Sequence, residues 1–481
     1  MHGITLCNMK KLKYFFIALP LLIGFIGYYC LGGLSPFDAF YASLVLYFAN
    51  PVSDISNVLV SIAKITALIA TASFVVLVFA RIKSEIRRRW ANRFPDSTAV
   101  YTDVPEEGDI LLEKLQHGYP GRPEAKRIER AKRIVLLYSD DSLSLEFLSE
   151  HKQELSGKKV FVKANDIDLN LLRSLNDYES DVRFFSYHDT VARTYWLENN
   201  LYNQIVDRKQ DEPYRIAIVG YGVVGKALFK RAFLTNLFSL NQKIEYHLWG
   251  CDCVEGSFLS SIDTMNNDRI IVHSCPVEQE IPEFEKMDRI VVADFADPLS
   301  LIQTLILYYP SSTIHCYHNG KHKYEVLFGL EKTVKTFGNM TDYLTEENII
   351  DEKLLFNAKL FNFDYVFKTS KMAGTPDPEA IETEWNKLNG FLKDSNIARA
   401  DFYQIEKRLE KEGKAGKEEI KEIEHIRWSR FHFINHWKYN EKRDNALRHH
   451  PCLVPYGDLP KEEKDKDDSL CHEIEIMMKD N

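Results

Sequence analysis

The chain has 481 residues, which is enough for roughly two to four domains. Its formal net charge of −9 is mildly acidic, and this argues against a nucleic-acid binder with a broad basic face. The 8 cysteines are scattered without CxxC pairs, as expected for reduced and mostly structural thiols. Positive charge is instead concentrated beside two apolar runs near the N-terminus.

These two runs have the length and composition of membrane spans. They cover residues 14–31 and 58–80, and each is close to the roughly 20 residues that a spanning helix needs. Lysines precede the first run and arginines follow the second, so the positive-inside rule places both chain ends in the cytoplasm. A secretory signal peptide is the alternative for the first run, but no small-residue cleavage site follows it. We therefore expect a transmembrane domain over 1–90.

The segment between the two runs predicts a short re-entrant helix. Ser35 suits a helix N-cap and Pro36 the first helical position, and an apolar stretch follows over 36–49. Asn50 and Pro51 end this stretch, and the chain then turns back into the second span. Irregular backbone at membrane depth is tolerated only where protein or water covers it, so we expect this turn to line a pore. The residues assigned to the pore are Asn50, Pro51, Ser53, Asp54 and Lys64.

The order of span, re-entrant helix, loop and span resembles the plan of two-span tetrameric cation channels. The resemblance implies a homotetramer in a bacterial inner membrane, in contact with lipid and with a permeant ion. The place of the potassium filter holds FANPVSD, residues 48–54, without glycine, so strong K⁺ selectivity is not expected. A helical hairpin that conducts nothing is the alternative for 35–54. Lys64 either faces an ion path or extends its amine to the outer interface.

A first α/β domain is predicted over 95–210. Short apolar runs at 133–138, 159–163 and 182–186 alternate with helical patterns, and 98–102 is a further candidate strand. No glycine fingerprint follows any of these runs, so we expect no nucleotide in this domain.

A second α/β domain, predicted over 211–338, carries a glycine fingerprint. The apolar run 216–219 enters the motif Gly220-x-Gly222-x-x-Gly225, and an amphipathic helix follows. Glycines at these positions permit a tight turn, close approach of the backbone to a phosphate, and close packing of helix on strand. The motif therefore predicts a nucleotide-binding loop.

An acidic residue, Asp252, follows the next candidate strand, 246–249. It lies about 30 residues after the glycines, somewhat beyond the usual spacing for a carboxylate that holds a ribose hydroxyl. Further candidate strands at 270–273, 289–293 and 312–317 complete a doubly wound parallel sheet. The two domains together resemble tandem RCK domains of the TrkA-N type, the cytosolic gating-ring modules of potassium channels and transporters. The resemblance implies a ring assembly and NAD(H) or another adenine nucleotide at the glycine loop; a Rossmann sheet that has lost its ligand is the alternative.

Aromatic and basic residues are concentrated between 424 and 467. HxxW, W-x-Y, R-D, R-x-H-P-C-L-V and L-P-x-E-x-K occur there in this order and resemble the RyR domain, the repeat module of ryanodine receptors, which also occurs in bacterial proteins. The resemblance implies a mostly α-helical ligand-binding domain over 340–481 that recognises an adenine-nucleotide-like signal. Aromatic rings can sandwich a flat base and guanidinium groups suit phosphate. The predicted ligand-binding residues are Trp428, Trp437, Tyr439, Arg443, Arg448 and His450.

The alternative for these aromatic residues is the core of a small helical domain. Taken together, the sequence predicts a membrane α-helical pore unit with two spans and a re-entrant helix, followed by Rossmann-like α/β domains and a helical domain. We expect a ligand-gated ion channel or conductance effector, with no catalytic residues and no metal. The first alternative is a membrane-tethered nucleotide sensor or scaffold without conduction. A membrane-anchored NAD(P)-dependent oxidoreductase ranks below both, because no acid/base pair can be tied to the glycine loop.

Overall fold

The computed structural model describes residues 18–50, 53–122, 128–169, 181–206, 208, 212–320, 323–328, 333–370, 377–464 and 472–479. The chain divides into two compact units, Met1–Phe94 and Pro95–Asn481. Each unit has its own core and is described by itself.

The N-terminal unit is helical. Its helices are α1 (Ala18–Leu31, of which Gly27–Leu31 is π-helical), α2 (Pro36–Val45) and α3 (Val58–Ala91). A 3₁₀ turn, Leu46–Phe48, extends α2.

The predicted re-entrant helix is observed as α2 and its 3₁₀ extension. Ser35 caps α2, because its hydroxyl oxygen accepts the backbone N–H of Asp38 at 3.2 Å, and Pro36 occupies the first turn. Ala49 then takes a left-handed φ of 56°, which ends the helical turn. Pro51, which was assigned to the pore, lies outside the described residues.

The three helices share one apolar core, and small residues bring them together. A Cβ on Gly27 would lie 2.9 Å from Val60 Cγ2, so α1 and α3 approach closely at this point. Asn57 joins the same two helices, since its side-chain nitrogen donates to the carbonyl of Gly27 at 2.9 Å while its oxygen caps α3. The buried residues of this core are Tyr28, Ala39, Ala42, Leu46, Val60, Ala63 and Ala67.

Among the described residues, α3 alone is long and apolar enough to cross a membrane, over Val58–Val76. The second predicted span is therefore observed as a helix of spanning length. The first predicted span is observed only as the shorter apolar helix Ala18–Leu31, and its residues 14–17 lie outside the described residues. The two-span arrangement accordingly stays a prediction.

The second unit begins with a parallel five-stranded sheet in the order β2-β1-β3-β4-β5. This order is one of the two common doubly wound arrangements. Its strands are β1 (Thr98–Thr102), β2 (Gly118–Pro120), β3 (Arg133–Leu137), β4 (Lys159–Lys163) and β5 (Asp181–Phe185). Its helices are α4 (Pro105–Lys114), α5 (Asp141–Glu150), α6 (Tyr187–Asn199) and α7 (Tyr202–Ile205).

A parallel six-stranded sheet follows, in the order β11-β10-β9-β6-β7-β8. Read from β8, this is the strand order 3-2-1-4-5-6 of dinucleotide-binding sheets, with its switch point between β6 and β9. Its strands are β6 (Tyr214–Val219), β7 (Ile244–Trp249), β8 (Arg269–His273), β9 (Arg289–Val292), β10 (Thr313–Tyr317) and β11 (Val334–Phe337). Its helices are α8 (Val223–Thr235), α9 (Cys253–Ser260), α10 (Pro298–Tyr308) and α11 (Tyr324–Phe328).

The remainder of the unit is mostly helical, as predicted. Its helices are α12 (Met340–Tyr343), α13 (Glu346–Ile349), α14 (Phe356–Ser370), α15 (Pro378–Asn386), α16 (Gly390–Lys411), α17 (Lys417–Ile434), α18 (Lys461–Lys464) and α19 (His472–Lys479). Two short strands, β12 (Lys438–Tyr439) and β13 (His449–His450), pair after α17. A short break separates α16 from α17, and Gly413 adopts a left-handed φ of 65° there.

The C-terminal helices do not stand apart from the six-stranded sheet, because they complete its core. Phe402 and Ile426 belong to the same buried cluster as Ile216 on β6. Arg430 on α17 is fully buried against Asp268, with their charged atoms 2.8 Å apart. The predicted boundary near residue 340 therefore crosses a continuous core.

Candidate functional site

A cleft of about 1150 Å³ opens inside the second unit. Its walls come from the carboxyl ends of β4 and β5, from the loops after β6 and β7, and from the end of α17. The carboxyl ends of the parallel strands form the edge of a doubly wound sheet at which ligands bind. The volume is slightly above the range typical of small-molecule sites, which ends at about 1,000 Å³.

The glycine loop has a conformation that only glycine fits. Gly220 has a φ of 89°, and a Cβ there would lie 2.6 Å from the backbone of Asp294. A Cβ on Gly225 would lie 2.0 Å from the carbonyl oxygen of Gly220, so α8 packs directly on the end of β6. The tight turn and the close helix–strand packing predicted from the motif are both observed.

The group beside this loop is a carboxylate of the chain itself. Asp294, which follows β9, accepts the backbone N–H of Gly225 at 2.7 Å through Oδ2. A Cβ on Gly222 would lie 2.7 Å from the Asp294 carboxyl carbon, so the carboxylate lies over that glycine as well. This is also the place where the predicted phosphate would approach the loop, and the side chain of Asp294 lies there against the start of α8.

Asp252 lies next to the glycine loop, as the sequence predicted. It caps α9 by accepting the backbone N–H groups of Val254 and Glu255, both at 2.9 Å, and it lines the cleft. Gly250 makes this position possible, since its φ of 93° turns the chain and a Cβ there would lie only 3.2 Å from the backbone nitrogen of Tyr221. A ribose held by Asp252 would therefore lie beside the loop.

The cleft near the glycine loop is acidic. Lys226 lines it but pairs with Glu255 at 2.8 Å, whereas Asp166 and Asp252 line it without an ion pair among the described residues. His188 also lines the cleft, and burial lowers its pKa despite the nearby carboxylates of Asp294 and Asp166. His188 is thus neutral at physiological pH and contributes no positive charge.

The middle of the cleft is lined by paired charges. Arg231 donates to Asp189 at 2.7 Å and to Asp394 at 2.8 Å, and Lys230 also pairs with Asp394. Burial alone would raise the pKa of Asp394, but the two cations hold it well below its usual range. Each acid here already has a basic partner, so this part of the cleft is close to neutral.

The far end of the cleft offers a cation and an aromatic ring. Lys393 lines this end, with its amine 5.7 Å from the centre of the Trp385 ring. Burial is the main cause that lowers its pKa. Sequence reasoning missed this pair, because its position in the cleft depends on how α15 and α16 pack.

Of the predicted RyR-like ligand residues, the two tryptophans and His450 lie together in a packed cluster. Trp437 is only 7% exposed and stacks on Phe391, with ring centres 5.3 Å apart. Trp428 lies 4.0 Å from the His432 ring and 4.9 Å from His450. Trp437 and His450 are buried as in the alternative stated above, a core, whereas Trp428 is half-buried, and the binding role of these residues stays a prediction.

The other three predicted residues lie outside that cluster. Tyr439 is 53% exposed, and Arg443 is exposed and donates to the side chain of Asn445 at 3.0 Å. Arg448 donates to the carbonyl of Asn435 at 2.8 Å and so holds the end of α17 in place. None of the six residues is part of the described cleft lining.

The part of this segment that does reach the cleft is the end of α17. Asn435 and His436 line the cleft, and His436 stacks on Phe258 of α9 with ring centres 4.0 Å apart. His436 has a left-handed φ of 64°, which turns the chain out of the helix at this contact. Its position follows from the helix end and could not be predicted from its residue type.

The predicted pore residues lie in the other unit, between or within its helices. Asn50 and Asp54 are exposed, and the Ser53 hydroxyl oxygen accepts the backbone N–H of Ile55 at 3.2 Å. Lys64 is half-buried on α3. Their role in conduction stays a prediction. Within the described part of the chain, no group of three or more His, Cys, Asp or Glu could hold a metal ion.

The family model of the RyR domain matches residues 401–479, which confirms that resemblance over part of α16, over α17 and over the segment that follows. No curated protein matches the chain by sequence. Among solved structures, the chain is similar to the GsuK channel bound to NAD, at 12% sequence identity and a TM-score of 0.34 over 73% of this chain and 84% of that chain. GsuK bound to ADP gives 13% identity and a TM-score of 0.32 over 71% and 96%. A dehydrogenase from Rhizobium meliloti gives 15% identity and a TM-score of 0.24 over 55% and 96%. At TM-scores this low, these likenesses carry no conclusion about this chain.

Proposed function

We propose that this chain is a membrane protein that senses a nucleotide-like small molecule in the cleft of its second unit and converts binding into ion flow through a pore built from several copies. The cleft is the observation that carries this proposal. It lies at the carboxyl ends of the neighbouring strands β6 and β7 of a dinucleotide-type sheet, beside a glycine loop and a suitably placed acid, Asp252. The proposal includes no catalytic step.

The construction of the cleft is suited to sensing. Its walls belong to the five-stranded sheet, the six-stranded sheet and the RyR-matched segment, which reaches it through His436. A ligand that contacts all three binds best to one arrangement of them and shifts the population toward it. The connection to α3 is short, since α3 ends at Ala91 and β1 begins at Thr98. Ligand-dependent movement of β1 would therefore act on the apolar helix.

Oligomerisation follows from the backbone between α2 and α3. Asn50 and the described residues 53–57 lie outside regular secondary structure. Unpaired backbone groups exposed to lipid cost several kcal/mol each, on the order seen for any unsatisfied polar group in hydrocarbon. Several copies that share a hydrated axis at this turn would remove that cost. We expect four copies, and mass measurement in nanodiscs tests this; a monomer or dimer would contradict it.

A flux assay on the full chain tests the function. Proteoliposomes loaded with an ion-sensitive dye receive single nucleosides or nucleotides, and flux is expected to change with one of them. Asp252→Asn should weaken that response, because it removes a carboxylate from the cleft. Asp109→Asn is the matched control, since Asp109 is an exposed acid on α4 away from the cleft. Because the loop lacks glycine, K⁺ and Na⁺ should permeate similarly, and a K⁺/Na⁺ permeability ratio on the order of a hundred would contradict this.

A second candidate is a membrane-tethered sensor that conducts nothing. It is favoured by the finding that α3 alone, among the described residues, has spanning length. Ligand binding with no flux above that of empty liposomes would select this candidate over the channel.

A further inference from the structure

We propose that Asp294 makes the glycine loop of this cleft reject phosphate, so that the ligand is a nucleoside whose 5′ substituent at the loop is uncharged or positively charged. This inference rests on the proposed function, in which the cleft takes a nucleotide-like molecule, and narrows its chemical class. The glycine motif alone predicts a phosphate at this loop, whereas the position of Asp294 predicts a ligand without a phosphate there.

The carboxylate of Asp294 lies where a phosphate would approach the glycine loop. In dinucleotide-binding sheets, a phosphate approaches the second glycine and accepts N–H groups at the start of the following helix. Here Oδ2 of Asp294 accepts the N–H of Gly225 at 2.7 Å. A Cβ on Gly222 would lie 2.8 Å from the same oxygen, so the carboxylate covers the face that a phosphate would use.

Asp294 is held in its position against the glycine loop. Its own backbone lies against the loop, since a Cβ on Gly220 would come within 2.6 to 2.8 Å of the Asp294 backbone atoms. The start of α8, a helix of 13 residues, also favours a negative charge at this place. A phosphate would therefore have to share the site with a carboxylate of the same charge, which is unfavourable at contact distance.

The surroundings of the glycine loop are acidic. Asp166 and Asp252 line this end of the cleft without an ion pair among the described residues, and the amine of Lys226 is paired with Glu255. Each of these carboxylates adds to the repulsion of a phosphate, and the pairing of Lys226 leaves little positive charge to offset it. The same carboxylates attract a positively charged substituent.

The ribose and base of a nucleoside can still be recognised at this end of the cleft. Asp252 lies at the end of β7, where a carboxylate accepts hydrogen bonds from ribose hydroxyls in sheets of this order. A ribose held there directs its 5′ carbon toward the glycine loop and Asp294. The base and ribose thus fit this end of the cleft, while a 5′ phosphate does not.

The experiment compares nucleosides with their 5′ diphosphates on the full chain in nanodiscs. Adenosine, guanosine, cytidine and uridine are titrated against the matching diphosphates by calorimetry, in EDTA so that no divalent cation masks the phosphate charge. We expect the recognised nucleoside to bind at least about tenfold more tightly than its diphosphate, a difference of about 1.4 kcal/mol. Asp294→Asn keeps the size of the side chain and an oxygen that accepts the Gly225 N–H. It should strengthen diphosphate binding about tenfold and change nucleoside binding less than about threefold.

The outcomes separate this inference from the proposed function. A wild-type preference for the diphosphate, unchanged in Asp294→Asn, would overturn the role of Asp294 and leave nucleotide sensing intact. Absence of binding by every nucleoside and diphosphate would overturn both. Should Asp294→Asn fail to fold, as judged by its thermal transition, the wild-type ratio of the two affinities still decides the question.

Discussion

Individual buried charges, more than exposed ones, hold the second unit together. Arg430 and Asp268 are both fully buried, and Arg430 also donates to the carbonyls of Thr264 and Phe233. Exposed pairs such as Lys353 with Glu347, which are 64% and 67% exposed, are screened by water and contribute little. Arg430 and Lys353 therefore offer two matched substitutions to methionine that differ mainly in the burial of the replaced side chain.

Arg430→Met should destabilise the second unit by about 3–5 kcal/mol, because it leaves the buried Asp268 carboxylate without its cation and with only neutral donors such as those of Gln242 and Ile244. Lys353→Met is the control, and it should change stability by less than about 1 kcal/mol. Urea unfolding of the full chain in detergent, followed by tryptophan fluorescence, measures both. Equal midpoints for the two variants would show that Arg430 does not join α17 to the sheet.

Trp437 and Tyr439 are two residues apart and should behave very differently. Trp437 is 7% exposed and stacked on Phe391, so Trp437→Ala should cost about 3–5 kcal/mol as a core truncation. Tyr439 is 53% exposed, so Tyr439→Ala should be nearly neutral for stability. Thermal unfolding tests this. A stable Trp437→Ala protein with weakened ligand binding would instead return Trp437 to the binding role that the sequence first indicated.

Helices and strands were predicted well where the signal is local. The apolar run 133–138 appears as β3, and the fingerprint loop joins β6 to α8 as expected. The strand β2 was missed because it has three residues and contains Pro120, and α4 because Gly108 interrupts its pattern.

Only some residues of the candidate site could be predicted from the sequence, because strand order and helix packing bring in residues that are far apart in the chain. The glycine loop and Asp252 follow consecutive strands, so local spacing identifies them. Asp294 follows β9, which lies beside β6 in the sheet although far from it in the chain. Lys393 and His436 enter the cleft from helices whose packing is set by the core shared with the sheet. Such residues become recognisable only when strand order and helix packing are known.

Strand β10 carries a buried neutral histidine that makes stability depend on pH. Burial lowers the pKa of His315 to about 3, and Tyr195 hydrogen-bonds to its Nδ1 at 2.8 Å. The unfolded chain takes up the proton near pH 6.5 and the folded chain does not, so this stability is present above pH 6.5 and is lost as pH falls toward 3. At pH 5 the loss from His315 is about 2 kcal/mol.

His315→Asn removes this titration and keeps a hydrogen-bonding side chain. The loss of unfolding free energy between pH 7 and pH 5 should therefore be smaller than in the wild type by about 2 kcal/mol. Each protein is compared with its own value at pH 7, so that the constant effect of the substitution cancels. Urea unfolding at the two pH values gives the difference, and parallel losses in both proteins would contradict a neutral His315.

The chain as a whole places the RyR-matched segment inside a larger fold. Arg193 on α6 pairs with Asp401 on α16 at 2.7 Å, with both side chains buried. The second unit is one compact body by its contacts. Ligand-induced change at the cleft should consequently be felt by both sheets, since buried pairs such as Arg193 with Asp401 join the helices around it.

The segment matched by the RyR family model should not fold independently of the six-stranded sheet. The segment 401–479 contributes Phe402, Leu409 and Ile426 to the buried cluster that contains the six-stranded sheet. Expressed alone, this segment would expose those side chains and leave Arg430 without Asp268. We expect 401–479 to show weak helical circular dichroism and no cooperative thermal transition, whereas 95–481 should unfold in a single transition. A sharp transition in the isolated segment would show that it folds without the sheet, and that its contacts with α8 and Asp268 form an interface between two stable domains.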